Sequence, residues 1–288
     1  MKGKVIQENS ETEQKYTSYE TFPDISYLKT DSDPNLTSLD IYTPDLKAKL
    51  PVLIWIHGGG WARGDKSSVL NSKVDVPAVF CKKGYVLVSI NYRLTPKAIF
   101  PTHVQDVASA IAWVKGNISQ YGGDPTRLNI SGHSAGAHLT ALVATDAKYM
   151  EANGMKLSEL KTAIPIDTIT YDITNLAKRF GGFLPSIYGD VFTQDPEKWK
   201  EASPSHHVKK DRGIPPMLIF YSGGQKAYGN PNRKTDAEDF AKVLTNASVE
   251  GATYGAQEKT HSEIAAALSD PNDHVTITML AFLKKKNN

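Results

Sequence analysis

The sequence predicts an α/β fold: a mainly parallel central sheet with helices on both faces and a small helical cap. Three observations carry that expectation. Apolar runs of strand length alternate with helix-period stretches along most of the chain. The run Pro51-Val52-Leu53-Ile54-Trp55-Ile56 empties into His57-Gly58-Gly59-Gly60-Trp61. A second run, Arg127-Leu128-Asn129-Ile130-Ser131, leads into Gly132-His133-Ser134-Ala135-Gly136 and then a small-residue helix over 135–144.

In chain order, strands are expected over 39–42, 52–57 and 86–91, then an amphipathic helix over 104–114 with apolar residues at 3/4 spacing. The strand over 128–131 precedes the serine pentapeptide. Later strands fall at 162–166, 217–221 and 252–254, with helices over 235–246 and 272–285. Thr235-Asp236-Ala237-Glu238 reads as a capping box opening the first of these helices. Residues 1–37 show little periodicity and are expected to form an N-terminal arm. The α/β rhythm breaks over 171–216, a segment rich in Phe180, Phe183, Ile187, Tyr188, Phe192 and Trp199. Loops at the carboxyl ends of strands enclose ligands in open α/β sheets, so this insertion is expected to form the cap.

Composition narrows the functional classes. The 288 residues are 40% hydrophobic and 22% charged, which suits one domain with a well-filled core. A net charge of +2 is too small to imply nucleic acid or an anionic membrane surface as partner. Cys81, the one cysteine, lies among Val76, Val79 and Phe80 and reads as a buried structural thiol. The polar N-terminal stretch lacks the apolar centre of a signal peptide, and no run reaches the roughly 18 apolar residues of a membrane span. A cytoplasmic monomer or homodimer is the expectation. Lys284-Lys285-Lys286 reads as a solvated tail.

A serine two residues from glycine on either side, between a strand and a helix, fits a nucleophile elbow. That turn forces the serine into a strained backbone region, and a side chain at either glycine would collide with strand or helix. The glycine run after 51–56 fits a loop whose N–H groups approach a developing oxyanion, because no Cβ intervenes. Gly59 and Gly60 are the candidate donors there, joined by Ala135 at the positive end of its helix. A serine hydroxyl needs a base at neutral pH, and the base should lie near the C-terminus in this chain order. His261, after the strand at 252–254 and before the last helix, fits that position.

The acid has more than one candidate. After the strand at 217–221 the chain runs from Ser222 to Asn232 with no carboxylate before Asp236, which the capping box places on a helix. The carboxylate can come instead from the end of the preceding strand, where Asp167 follows 162–166 and Asp172 lies five residues on. Adjacent strand ends both face the imidazole, and Asp167 is the leading candidate. Alternatively an amide near Gln225 or within 229–232, or a water, orients His261 in a slower dyad.

Together these motifs resemble the α/β-hydrolase esterases of the hormone-sensitive-lipase and arylformamidase-like branches. The resemblance covers about residues 38–285 and also rests on Asn91-Tyr92-Arg93-Leu94, Tyr121-Gly122-Gly123-Asp124-Pro125 and Thr260-His261-Ser262. It implies Ser134 as nucleophile, His261 as base, and Gly59, Gly60 and Ala135 as oxyanion donors. In such proteins the arginine of the Asn-Tyr-Arg-Leu turn braces structure. This chain departs from the family where the usual aspartate after the strand at 217–221 is missing.

The expected activity is hydrolysis of short-to-medium acyl or aryl esters through an acyl-enzyme, with Trp61, Phe183 and Tyr188 lining a hydrophobic pocket. No metal or organic cofactor is implied. Rival readings are an arylformamidase or amidase, a carbohydrate acyl esterase, and a ligand-binding receptor on a degraded hydrolase scaffold.

Overall fold

The structure, a computed structural model, describes residues 16–31, 33–223 and 232–288. Its strands are β1 (Glu20–Ser26), β2 (Ser38–Thr43), β3 (Leu50–Ile56), β4 (Leu70–Asn71), β5 (Val74–Asp75), β6 (Val86–Ile90), β7 (Gly123–His133), β8 (Leu160–Ile166), β9 (Met217–Ser222) and β10 (Gly251–Ala256). The helices are α1 (Val76–Lys82), α2 (Thr102–Asn117), α3 (Ala135–Thr145), α4 (Ala147–Glu151), α5 (Ile173–Arg179), α6 (Ser186–Phe192), α7 (Pro196–Glu201), α8 (Pro204–His207), α9 (Arg233–Asn246), α10 (Glu263–Ala266) and α11 (His274–Asn287).

Eight strands form one sheet in the order β1-β2-β6-β3-β7-β8-β9-β10. β1 and β2 pair antiparallel, β2 joins β6 antiparallel, and every pair from β6 to β10 is parallel. The continuous apolar composition of β3 follows from this placement: a central parallel strand is covered on both faces. Val52, Ile54 and Ile56 point to one face and pack with Val107 and Ile111 of α2 and Leu139 and Leu142 of α3. Leu53 and Trp55 point to the other, with Phe80 of α1 and Val275 and Met279 of α11. Period-2 alternation thus feeds two cores from one strand. Cys81 belongs to the second core and is fully buried, which pushes its thiol up to about 12.

Three expectations are corrected. The stretch taken as an arm contains β1, a largely exposed edge strand. A register shift between Phe22 and Ile25, with Asp24 at φ 55°, interrupts the alternation that would have revealed it. The capping box at Thr235 does not form. α9 starts at Arg233 without a side-chain cap, and Asp236 is held by Arg179 of α5, whose Nη1 lies 2.9 Å from its Oδ2. The lysine run is the last turn of α11, where Lys286 pairs with Glu250.

Helices α5 to α8 fill the segment between β8 and β9. Arg93, after β6, reaches Asp106 of α2 with Nε at 2.8 Å and Nη2 at 2.6 Å, a two-pronged brace on a fully buried carboxylate. Among the described residues, no helix is long and apolar enough to cross a membrane.

Candidate active site

The elbow is built by close backbone approach. Ser134 has φ 57° and ψ −116°, between the end of β7 and the start of α3. A Cβ on Gly136 would lie 2.1 Å from the carbonyl oxygen of Ile56, and one on Gly132 would lie 2.5 Å from that of Gly136. Both glycines are therefore steric necessities. The Ser134 N–H donates to the Ile166 carbonyl at 2.9 Å, which ties the turn to β8.

The glycine loop after β3 lies directly against this turn. A Cβ on Gly58 would come 3.1 Å from Ser134 Cβ. Gly59, Gly60 and Trp61 have φ of 108°, 63° and 58°, three successive residues in the left-handed half of backbone space. The loop is pinned from behind by Tyr92, whose hydroxyl donates to the His57 carbonyl at 3.0 Å while its ring stacks on that of His57 at 4.4 Å. Among the described residues, the N–H groups of Gly59, Gly60 and Ala135 meet no acceptor.

His261 links the serine to Asp167. Its Nε2 lies 3.0 Å from Ser134 Oγ and its Nδ1 lies 2.6 Å from Asp167 Oδ2. A carboxylate only accepts, so Nδ1 carries the proton and Nε2 is left to accept from the serine. Asp167 directly follows β8, at φ 60° and with no solvent exposure. Its carboxylate accepts from the Ser222 N–H at 2.8 Å and the Ser222 hydroxyl at 2.7 Å. Burial alone would raise this carboxyl, but the His261 hydrogen bond, the Arg233 guanidinium and Ser222 outweigh it and hold it below the usual carboxylate value.

Asp172 is elsewhere: its side chain caps α5, accepting from the Asn175 N–H at 2.8 Å. The amide alternative at Gln225 and at 229–231 lies outside the described residues. Asn232 is described, but the partner of His261 Nδ1 is Asp167.

His133 stands beside the relay, its ring 4.4 Å from that of His261. Its Nε2 lies 2.7 Å from the His261 carbonyl oxygen, so that nitrogen is the protonated one. Burial, helped by the neighbouring imidazole, lowers His133 to about 4 and keeps it neutral. His133, Asp167 and His261 bring ligand-type atoms within 4.8 Å of one another. Two hydrogen bonds run through this cluster, His261 Nδ1 to Asp167 Oδ2 at 2.6 Å and His133 Nε2 to the His261 carbonyl oxygen at 2.7 Å.

The expected pocket residues separate. Trp61 is buried, edge-on to His138 at 5.3 Å and to Phe192 at 5.0 Å, and Tyr188 of α6 stands 6.2 Å from it. Phe183, within the 171–216 segment, is 58% exposed. Ile187 of α6 reaches over the glycine loop, 3.6 Å from where a Gly60 Cβ would sit. A cavity of about 450 Å³ lies on the other side of that loop, bounded by Gly58, Gly59 and His133, by Trp55 and Val76, and by Ala265 of α10.

Three participants were missed by sequence reasoning. Sequence reasoning gives Tyr92 only as part of a structural turn, and Ser222 only as the start of a loop lacking an acid. Arg233 sits at the first position of α9, where a cation opposes the helix dipole. Such a misfit is the one signal that could have pointed to a tertiary partner.

Comparison with known proteins adds the family context. A family model described as BD-FAE matches residues 39–226. The chain is similar to the esterase LipQ of Mycobacterium tuberculosis, 32% identical over 233 residues, covering 77% of this chain and 53% of that protein. It is also similar to a protein of Arabidopsis thaliana named as a probable isoprenylcysteine alpha-carbonyl methylesterase, ICMEL2. The identity there is 28%, over 81% of this chain and 56% of that one. The chain thus spans about half the length of these named relatives. Among solved structures, esterase B of Lactobacillus rhamnosis superposes with a TM-score of 0.74 at 19% identity, covering 96% of this chain and 88% of that one. A truncated carbohydrate esterase from gut microbiota gives 0.72 at 20% identity, over 96% and 98% of the two chains. These two likenesses carry the α/β-hydrolase fold alone.

Proposed function

The chain belongs to the BD-FAE family, and from that premise we propose that it is a serine carboxylic-ester hydrolase acting through an acyl-enzyme. The single observation that carries the reading is the continuous relay Ser134 Oγ–His261 Nε2 at 3.0 Å and His261 Nδ1–Asp167 Oδ2 at 2.6 Å, placed on a strained elbow. His261 takes the hydroxyl proton as Ser134 Oγ attacks the ester carbonyl carbon. The N–H groups of Gly59, Gly60 and Ala135 receive the oxyanion, and their lack of other acceptors supports that role. The Asp167 carboxylate stabilises the imidazolium, which then protonates the departing alkoxide oxygen. Water attacks the acyl-enzyme by the same steps reversed, releasing the acid and restoring the serine.

The substrate in this reading is a small ester with a short-to-medium acyl or aryl group. Tyr188 and Ile187 of the 171–216 segment stand against Trp61 and the glycine loop, and a cavity lined in part by Gly58, Gly59 and His133 adjoins that loop. The lone buried cysteine accords with a reducing, cytoplasmic setting. The intact relay favours an enzyme over a receptor on a degraded scaffold.

The test is hydrolysis of p-nitrophenyl acetate and butyrate by the native chain and by Ser134→Ala. Serine-dependent turnover, lost by ~10³-fold or more in the variant, is expected. Equal rates in the two proteins would overturn the assignment. N-formylkynurenine run alongside weighs the amidase reading.

A further inference from the structure

Asp167 is gripped more firmly than an imidazole partner requires. Arg233 Nη1 stands 3.1 Å from Asp167 Oδ2, the oxygen that also receives His261 Nδ1. From the same nitrogen Arg233 donates to the Asp167 backbone carbonyl at 3.0 Å. Its side chain is 17% exposed, and its buried Nε meets no acceptor among the described residues. Burying a guanidinium this far, with a donor left over, is costly unless the contact it makes matters.

We propose that Arg233 is a positioning residue of the relay: it pins Asp167 by side-chain and main-chain oxygens together and tempers the negative charge that the His261 imidazolium meets. The inference rests on the serine-hydrolase reading above.

The physics has two parts. Asp167 sits at φ 60°, an uncommon backbone conformation for a non-glycine residue. A clamp on its carbonyl and its carboxylate from one group fixes both the backbone and the side-chain direction. The second part is charge. A bare carboxylate beside an imidazole favours imidazolium strongly, whereas a carboxylate already paired with a guanidinium favours it less. Removing the guanidinium would leave the full carboxylate charge beside the imidazole, which favours imidazolium.

No other group facing this pair competes for the role among the described residues. From β7, half-buried His133 is kept neutral by desolvation. From β9, Ser222 is uncharged. Tyr171, after β8, is pushed well above its ordinary value by burial and stays neutral. Asp236 of α9 is taken up by Arg179, and Lys259, ahead of α10, lies 2.6 Å from Asp273. Glu263 of α10 accepts from the Thr260 N–H at 2.8 Å and turns away from the pair.

The experiment is the pH dependence of kcat/KM for p-nitrophenyl butyrate in the native chain, Arg233→Gln and Arg233→Lys. In Arg233→Gln, kcat should fall about tenfold and the acid limb should move up by at least about half a pH unit. Arg233→Lys keeps the charge on a shorter, differently shaped head group, so its acid limb should stay in place while kcat remains several-fold low. A strut without influence on the relay would lower kcat in both variants and leave both limbs unmoved, which would overturn the proposal. Unchanged kcat and limbs would overturn it equally. If Arg233→Gln does not fold, Arg233→Lys still decides: a displaced acid limb in that variant contradicts the charge argument. The downfield proton resonance of His261 Nδ1 gives an independent readout, and should move in Arg233→Gln more than in Arg233→Lys. Failure of the parent reading is separate, because Ser134→Ala would then retain native turnover whatever the Arg233 series shows.

Discussion

Ser134 and Asp167 leave neighbouring strands at matched positions, both with a positive φ. Their predecessors, His133 and Ile166, are register partners in the β7–β8 pair, and the two residues themselves have φ of 57° and 60°. The bond from Ser134 N–H to the Ile166 carbonyl closes the pairing at 2.9 Å. Hydroxyl and carboxylate are therefore set side by side by the ladder of the sheet, and one imidazole spans them.

This geometry makes Asp167→Asn the most informative substitution. An amide would favour the wrong imidazole tautomer, and kcat should fall by ~10²–10⁴. Asn232→Ala, altering the strand-loop position where the acid was first sought, should leave kcat near the native value. Steady-state ester hydrolysis measures both, and the reverse pattern would move the acid's role to the later loop.

Gly136→Ala tests the elbow sterically. The added methyl would meet the Ile56 carbonyl at 2.1 Å, with the His57 carbonyl at 2.6 Å, and neither is a flexible side chain. Displacing β3 or α3 should cost about 3 kcal/mol or more, read as a shift of the urea midpoint. A variant with native stability would show that the turn is looser than the packing implies.

Acid should destabilise the protein early. His103, His133 and His138 are each lowered to about 4, chiefly by burial. Between pH 6.5 and 4 the unfolded chain binds protons at these sites while the folded chain does not, so stability falls as pH falls. Each histidine contributes up to ~1.4 kcal/mol per pH unit across that window. Denaturant midpoints at pH 7, 6 and 5 should decline progressively; a flat series would contradict the buried, neutral assignment.

Trp61 and Phe183 should behave oppositely. Trp61→Ala empties a packed aromatic site and should cost ~3–5 kcal/mol. Phe183→Ser removes a ring that is 58% exposed, and should change stability by less than about 0.5 kcal/mol. If Phe183 contacts the acyl group, KM should rise more for butyrate than for acetate esters. Melting curves and initial rates separate the two effects.

The parts of this molecule that announced themselves in sequence are those where one local rule dominates. Apolar strands such as β3 are continuous because both faces are covered, and the two elbow glycines stand where backbone meets backbone. What stayed hidden depends on distant partners. β1 is exposed and bulged, so its residues carry no alternation to read. Asp167 could be narrowed to a candidate because strand ends share one rim, but choosing it over Asp172 required seeing which carboxylate turns inward. Arg233 and Ser222 act across 66 and 55 residues of chain, and beyond the unfavourable place of Arg233 at a helix start nothing local records the contacts.

Trp61 ends the glycine loop and is wedged among His138, Tyr188 and Phe192, while Ile187 overhangs Gly60. Helix α6 and the glycine loop are consequently packed as one unit, so any swing of α6 would have to break the Trp61–Tyr188 and Trp61–Phe192 contacts or carry the loop backbone with it.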